Sequence, residues 1–102
     1  MIILDTDFLV SSIKFKVDVI TQIKEEYPNE KIVIMDKTID ELKSINNSNA
    51  RAAIHLVKLK GLDFIKTKKD KIVDDLILDI VSEGDLVATQ DQRFKRKLKE
   101  KN

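Results

Sequence analysis

The chain opens MIILDTDFLVSS, four apolar residues running directly into two aspartates, Asp5 and Asp7. A strand suited to burial that ends on paired carboxylates has two readings. The aspartates cap a turn, a task for which Asp is among the best residues, or they form half of a metal site. Five further acids bear on the choice: Asp36 and Glu41 in MDKTIDELKSI, Asp74 and Asp75 in VDDLIL, and Asp91 in VATQD. Carboxylates gathered at close range raise one another's pKa values and need a cation. Oxygen-only ligation selects hard ions such as Mg²⁺ or Mn²⁺. An ion so held activates water and neutralises charge on a phosphodiester, the chemistry of a hydrolytic nuclease.

The rest of the composition removes competing chemistries. There is no cysteine and a single histidine, His55. Disulfides, thiolate metal sites, a cysteine nucleophile and paired-imidazole chemistry are therefore excluded. Ser11, Ser12 and Ser48 have no histidine partner for nucleophilic catalysis. His55 falls opposite the apolar face of its helix and reads as a surface residue, not a general base. Lys+Arg (19) and Asp+Glu (18) nearly cancel, so the placement of charge, not its sum, must identify a partner. No apolar run approaches a membrane span, and the first residues lack the pattern of a signal peptide. The expectation is a soluble, cytoplasmic protein.

Whether these acids can meet depends on the elements that carry them. A chain of 102 residues predicts one domain over 1–102. Ile2–Leu4 and Ile32–Met35 read as strands buried on both faces. Leu62–Ile65 and Leu86–Ala88 are the third and fourth candidates. Between them, helices are expected over Phe8–Ile13, through Val17, Ile20, Ile23 and Tyr27, over Thr38–Ile45, and through Ala50, Ala53, Ile54 and Val57 to a stop at Gly61. The stripe Ile72, Val73, Leu76, Ile77, Ile80, Val81 predicts a further helix ended by Gly84, and a basic helix starts at Phe94. Strands alternating with helices imply parallel crossovers. The expected fold is α/β and three-layered, a central parallel sheet of about four strands flanked by helices.

On that map the acids follow the strands, and the carboxyl ends of parallel strands share one edge, where such sheets bind ligands. The metal reading rests on that convergence. Taken singly, each aspartate is better explained as a cap; Asp36 is assigned that role, and Asp18, Asp40, Asp63 and Asp79 are assigned as solvated or locally paired charges. Asp74 and Asp75 both lie off the apolar stripe, so spacing leaves open which of them faces the rim.

ILDTD, DELKSI, VDDLIL and VATQD, in this order and at these places in an α/β pattern, resemble the PIN-domain nucleases over essentially the whole chain. The resemblance is strongest to small archaeal PIN proteins akin to those of small-subunit ribosomal RNA processing, with the VapC-type toxin ribonucleases as the near alternative. It implies an endoribonuclease using Mg²⁺ or Mn²⁺, with Asp5, Glu41, Asp75 and Asp91 as catalytic metal ligands. It places Asp7, Asp74 and Thr89 as supporting residues or further ligands. A non-catalytic RNA- or protein-binding module on the same fold is the reading from a different class. Two departures stand out. Relatives continue past the basic helix into an edge strand, so the expectation is a four-stranded sheet or a strand supplied by a second copy or a partner chain. Arg93 stands where relatives often carry another acid, which favours one ion over two.

Basic residues border the acids. Arg93, Lys95, Arg96 and Lys97 follow Asp91, and Lys69 and Lys71 precede the Asp74–Asp75 pair. A solvated helix end explains the first group equally well in isolation. Beside an acidic metal centre, both groups read as the RNA-holding border. Aromatics are few, so no stacking platform of the single-strand-binding type is expected.

Overall fold

A computed structural model describes residues 1–101. Four strands and six helices alternate among them: β1 Ile2–Leu4, α1 Thr6–Lys14, α2 Val19–Glu26, β2 Ile32–Met35, α3 Asp36–Ile45, α4 Ser48–Lys60, β3 Asp63–Ile65, α5 Val73–Ile80, β4 Leu86–Ala88 and α6 Gln92–Lys101. All strand pairs are parallel, in the order β3-β2-β1-β4. The chain builds outward from β1 to β3, then returns across the sheet to place β4 on the other side of β1. Strand order therefore reverses at β1, and the crevice outside its carboxyl end is where a ligand site belongs.

Side-chain alternation makes the two outer layers. Ile2 and Leu4 of β1 and Ile32 and Ile34 of β2 point into a core closed by Leu9, Ile20, Leu42, Ala53 and Val57, from α1 to α4. Ile3, Val33 and Met35 point the other way, onto Val73, Leu76 and Ile77 of α5 and Phe94 of α6. Burial on both faces is why β1 and β2 read as unbroken apolar runs.

Local chemistry sets the boundaries. α1 begins at Thr6, two residues before the expected Phe8, because Asp5 caps it by accepting from the Thr6 N–H. α2 begins at Val19 instead of Val17: Lys16 takes a left-handed φ of 56°, and Asp18 caps the helix through the Thr21 N–H at 3.1 Å. Gly61 ends α4 at φ 62°, a conformation that carries no penalty only for glycine. Asp36 is not the cap of α3. Met35 holds that position, and Asp36 instead accepts from the N–H and hydroxyl of Thr67 at 2.9 and 2.6 Å. It thereby ties the segment after β3 to the end of β2.

Candidate active site

Four helices, α1, α3, α5 and α6, start at the carboxyl edge of the sheet, and at the head of α1, α5 and α6 stands a carboxylate that lines the cavity. Asp5 caps α1. Asp91 heads α6, its Oδ1 accepting from the Arg93 and Phe94 N–H groups at 2.9 and 3.3 Å. α5 has no cap from its own N-cap residue, Ile72. Glu41 of α3 supplies one across the fold, its Oε2 accepting from the Val73 N–H at 3.0 Å while its Oε1 accepts from the Thr6 hydroxyl at 2.8 Å. Each N-terminus contributes unpaired N–H groups and the positive end of a helix dipole. That field offsets part of the repulsion among the acids. Capping and clustering are here one device: fixing a carboxylate to a helix start also places it on the rim.

Thr89, buried just after β4, ties the group together. Its hydroxyl donates to Asp5 Oδ2 at 2.8 Å and accepts from the Asp91 N–H at 3.1 Å, and Asp7 Oδ1 stands 3.4 Å away. Thr89→Val keeps the shape and removes the oxygen. It should cost about 1–2 kcal/mol through the unpaired Asp91 N–H and Asp5 carboxylate. It should also push the Asp5 pKa further up, since the Thr89 bond favours the ionised form. Thermal melts and an NMR titration of the Asp5 carboxyl check both effects.

Asp5 is 6% exposed. Burial, opposed by the Thr89 hydrogen bond and reinforced by the charge of Asp7, pushes its pKa up to about 7. Burial and the neighbouring Asp75 also raise Asp74, while Lys97 of α6 acts on it in the opposite sense.

These groups open onto a cavity of about 530 Å³ lined by Asp5, Asp7, Glu41, Asp74 and Asp91, with Thr6, Ser11 and Lys14 and the apolar Val10, Ile45 and Ile72. Of the pair left open by spacing, Asp74 lines the cavity. Asp75 is not among the lining residues; its charge is felt by Lys71. Among the described residues no three acidic or histidine side chains stand close enough to enclose an ion outright. The donor set nevertheless suits a hard divalent cation. It is all oxygen, and five carboxylates face the cavity against one ammonium. A magnesium-like ion also keeps several waters, so it needs only a few protein oxygens.

The expected basic border divides in two. Lys69 is paired with Asp40 at 3.1 Å and Lys71 with Asp79 at 2.7 Å, so both ammonium groups are already matched. Arg93, Arg96 and Lys97 surround a separate hollow of about 350 Å³ with Glu100, and Lys95 is exposed on the same helix. His55 is exposed as expected. Three features of the site escape a reading by motif: the Thr6 hydroxyl that orients Glu41, the isoleucines 45 and 72 at the cavity edge, and Lys14. Lys14 alone left a sequence signal, standing seven residues after Asp7 on the same helical face.

No helix among the described residues is long and apolar enough to cross a membrane. Compared with known proteins, residues 2–102 match a family described as PIN-like domain. No curated protein matches. Among solved structures, the chain is similar to one titled "Structure of the PIN domain endonuclease Utp24" at 26% identity and a TM-score of 0.81, covering 95% of this chain and 75% of that one.

Proposed function

The chain belongs to the PIN-like domain family, and from that premise we propose that it is a metal-dependent endoribonuclease. The observation that carries the proposal is the buried Asp5 at the head of a cavity faced by four further carboxylates. Asp5, Glu41 and Asp91 are the proposed ligands of Mg²⁺ or Mn²⁺. Asp74 completes the set, because it lines the cavity where Asp75 does not. Bound there, the ion would lower the pKa of a water and neutralise charge developing on the phosphodiester.

The chain's own residues supply orientation. Thr89 and the Thr6 N–H hold both Asp5 oxygens, and Thr6 and the start of α5 hold both Glu41 oxygens. Each anionic oxygen keeps lone pairs for a further partner. The cations of α6, Arg93, Arg96 and Lys97, which form no ion pair among the described residues, are the proposed RNA contacts beside the site. RNA as substrate, and ribosomal RNA maturation as its setting, follow from the PIN-nuclease resemblance of the motifs.

The test is cleavage of a structured RNA by purified protein. Activity is expected with Mn²⁺, to vanish with EDTA, and to return on adding Mn²⁺ back. Equal cleavage by wild type and Asp5→Asn would sink the proposal. The spread of the acids, with no three enclosing an ion, favours one second reading, a non-catalytic RNA-binding module. On that reading the protein binds RNA in EDTA as well as in Mn²⁺ and cleaves in neither.

A further inference from the structure

Of the five residues of α1 that line the cavity, four, Asp7, Val10, Ser11 and Lys14, are spaced i, i+3, i+4, i+7. They form one continuous face of the helix. The cavity is thus a groove along α1, acidic where the helix begins and cationic where it ends. Between Asp7 and Lys14 the helix rises about 10 Å. Facing this stripe are Ile45, the last residue of α3, and Ile72, just before α5. These isoleucines are 47% and 56% exposed, and with Val10 they give the groove an apolar wall.

Lys14 is the only cation among the lining residues. Among the described residues it takes part in no ion pair, although five carboxylates face the same cavity. Its ammonium lies 5.7 Å from the Phe15 ring centroid. Lys69 and Lys71, by contrast, are matched to Asp40 and Asp79. A lysine left unpaired at one end of a groove, with the acids at the other, is placed to receive an anion.

We propose that the α1 stripe is the track of the RNA strand: Lys14 holds the phosphodiester next to the one cut, and Val10, Ile45 and Ile72 seat the ribose and base between them. The proposal rests on the endoribonuclease reading. It adds a direction, because the strand leaves the acids along α1 toward its C-terminus. Charge decides the occupant. With a divalent ion offsetting the acids, one end of the groove attracts the scissile phosphate and the other end the next one. The apolar wall between matches the uncharged part of a nucleotide.

The test compares Mn²⁺-dependent cleavage of a labelled oligoribonucleotide by wild type, Lys14→Ala, Lys14→Arg and Lys24→Ala. Lys24 lines a different hollow, with Glu30, Lys60 and Asp63. Lys14→Ala should raise KM about tenfold with little change in kcat, as expected for a phosphate contact. The fall of log(kcat/KM) with log salt should become shallower by about 0.7, the value for one single-strand phosphate contact. Lys14→Arg should restore both, and Lys24→Ala should change neither. Ile45→Ser with Ile72→Ser should raise KM and leave the salt slope alone. If Asp5-dependent cleavage shows the same KM and salt slope with and without Lys14, the track is wrong while the nuclease stands. A dimer in sedimentation that Ile45→Asp dissolves would give the groove to a second copy and also overturn the track. Absence of cleavage, or cleavage that survives Asp5→Asn, removes the nuclease reading itself.

Discussion

Asp5→Asn is expected to abolish RNA cleavage and, at the same time, to make the protein harder to unfold above pH 7. The activity loss, about 10²–10³-fold by analogy with removal of a charge-stabilising group from other active sites, follows if Asp5 holds the metal. The stability gain follows from linkage. The folded-state pKa of Asp5 is raised to about 7 from 3.8, first by burial. Unfolded chains therefore lose this proton near pH 4, whereas the folded protein keeps it to near neutrality. Between those values the folded state binds more protons, so stability falls as pH rises. Below pH 4 both states are protonated and Asp5 imposes no penalty. Above pH 7 the penalty is complete, on the order of a few kcal/mol.

Asparagine resembles the protonated acid. Its carbonyl oxygen accepts from the Thr6 N–H, and its amide donates to the Thr89 hydroxyl, which can accept. Wild type and Asp5→Asn should melt together at pH 4 and diverge as pH rises to 8, the variant melting higher, in buffer with EDTA. Adding Mn²⁺ at pH 8 should raise the wild-type melting temperature and leave the variant's unchanged. Mn²⁺ affinity should increase with pH through 7, as the ion displaces the Asp5 proton. Superimposed melting curves at pH 8 would show that burial of this charge is not what destabilises the fold. The expected trade of stability for function is common at active sites.

How far the sequence alone reveals this site depends on the range of each interaction. Burial pattern and cap chemistry are local, and they suffice for the α/β alternation, the four strands and the gathering of acids at one edge. For Asp5 and Asp91, capping and a place on the rim are not alternatives, since each sits on the rim because it heads its helix. Spacing does not separate Asp74 from Asp75, since neither lies on the buried stripe; in the fold Asp74 lines the cavity and Asp75 does not. Asp36 read locally as a cap because its partner Thr67 is 31 residues away. Local sequence gives no sign that Lys69 pairs with Asp40 of α3, or that Lys71 pairs with Asp79 eight residues on in α5. For Asp36 and Lys69 the missing information was a contact between distant elements, which neither periodicity nor motif encodes.

Glu41 depends most on such distant contacts, and its substitutions should separate structure from chemistry. Its carboxylate joins α1 to α5 through the Thr6 hydroxyl and the Val73 N–H, partners 35 and 32 residues away. Glu41→Ala leaves the first N–H of α5 and a buried hydroxyl without partners. Hydrogen bonds to a charged group contribute about 1.5–3 kcal/mol each, and the helix start also loses its anion. A loss of about 2–4 kcal/mol is expected, together with release of Asp74 from its place on the cavity wall. Glu41→Gln is isosteric. Its carbonyl can accept from Val73 and its amide can donate to Thr6, whose hydroxyl turns to accept. It should therefore melt within a few degrees of wild type. If the negative charge at this position is needed for the metal, Glu41→Gln should nonetheless lose cleavage as completely as Glu41→Ala and show weakened Mn²⁺ binding by titration. A Gln variant that is stable and fully active would restrict Glu41 to capping α5 and leave the metal to Asp5, Asp74 and Asp91. A Gln variant as unstable as the Ala variant would place the stabilisation in the charge on the helix terminus, not in the hydrogen-bond geometry.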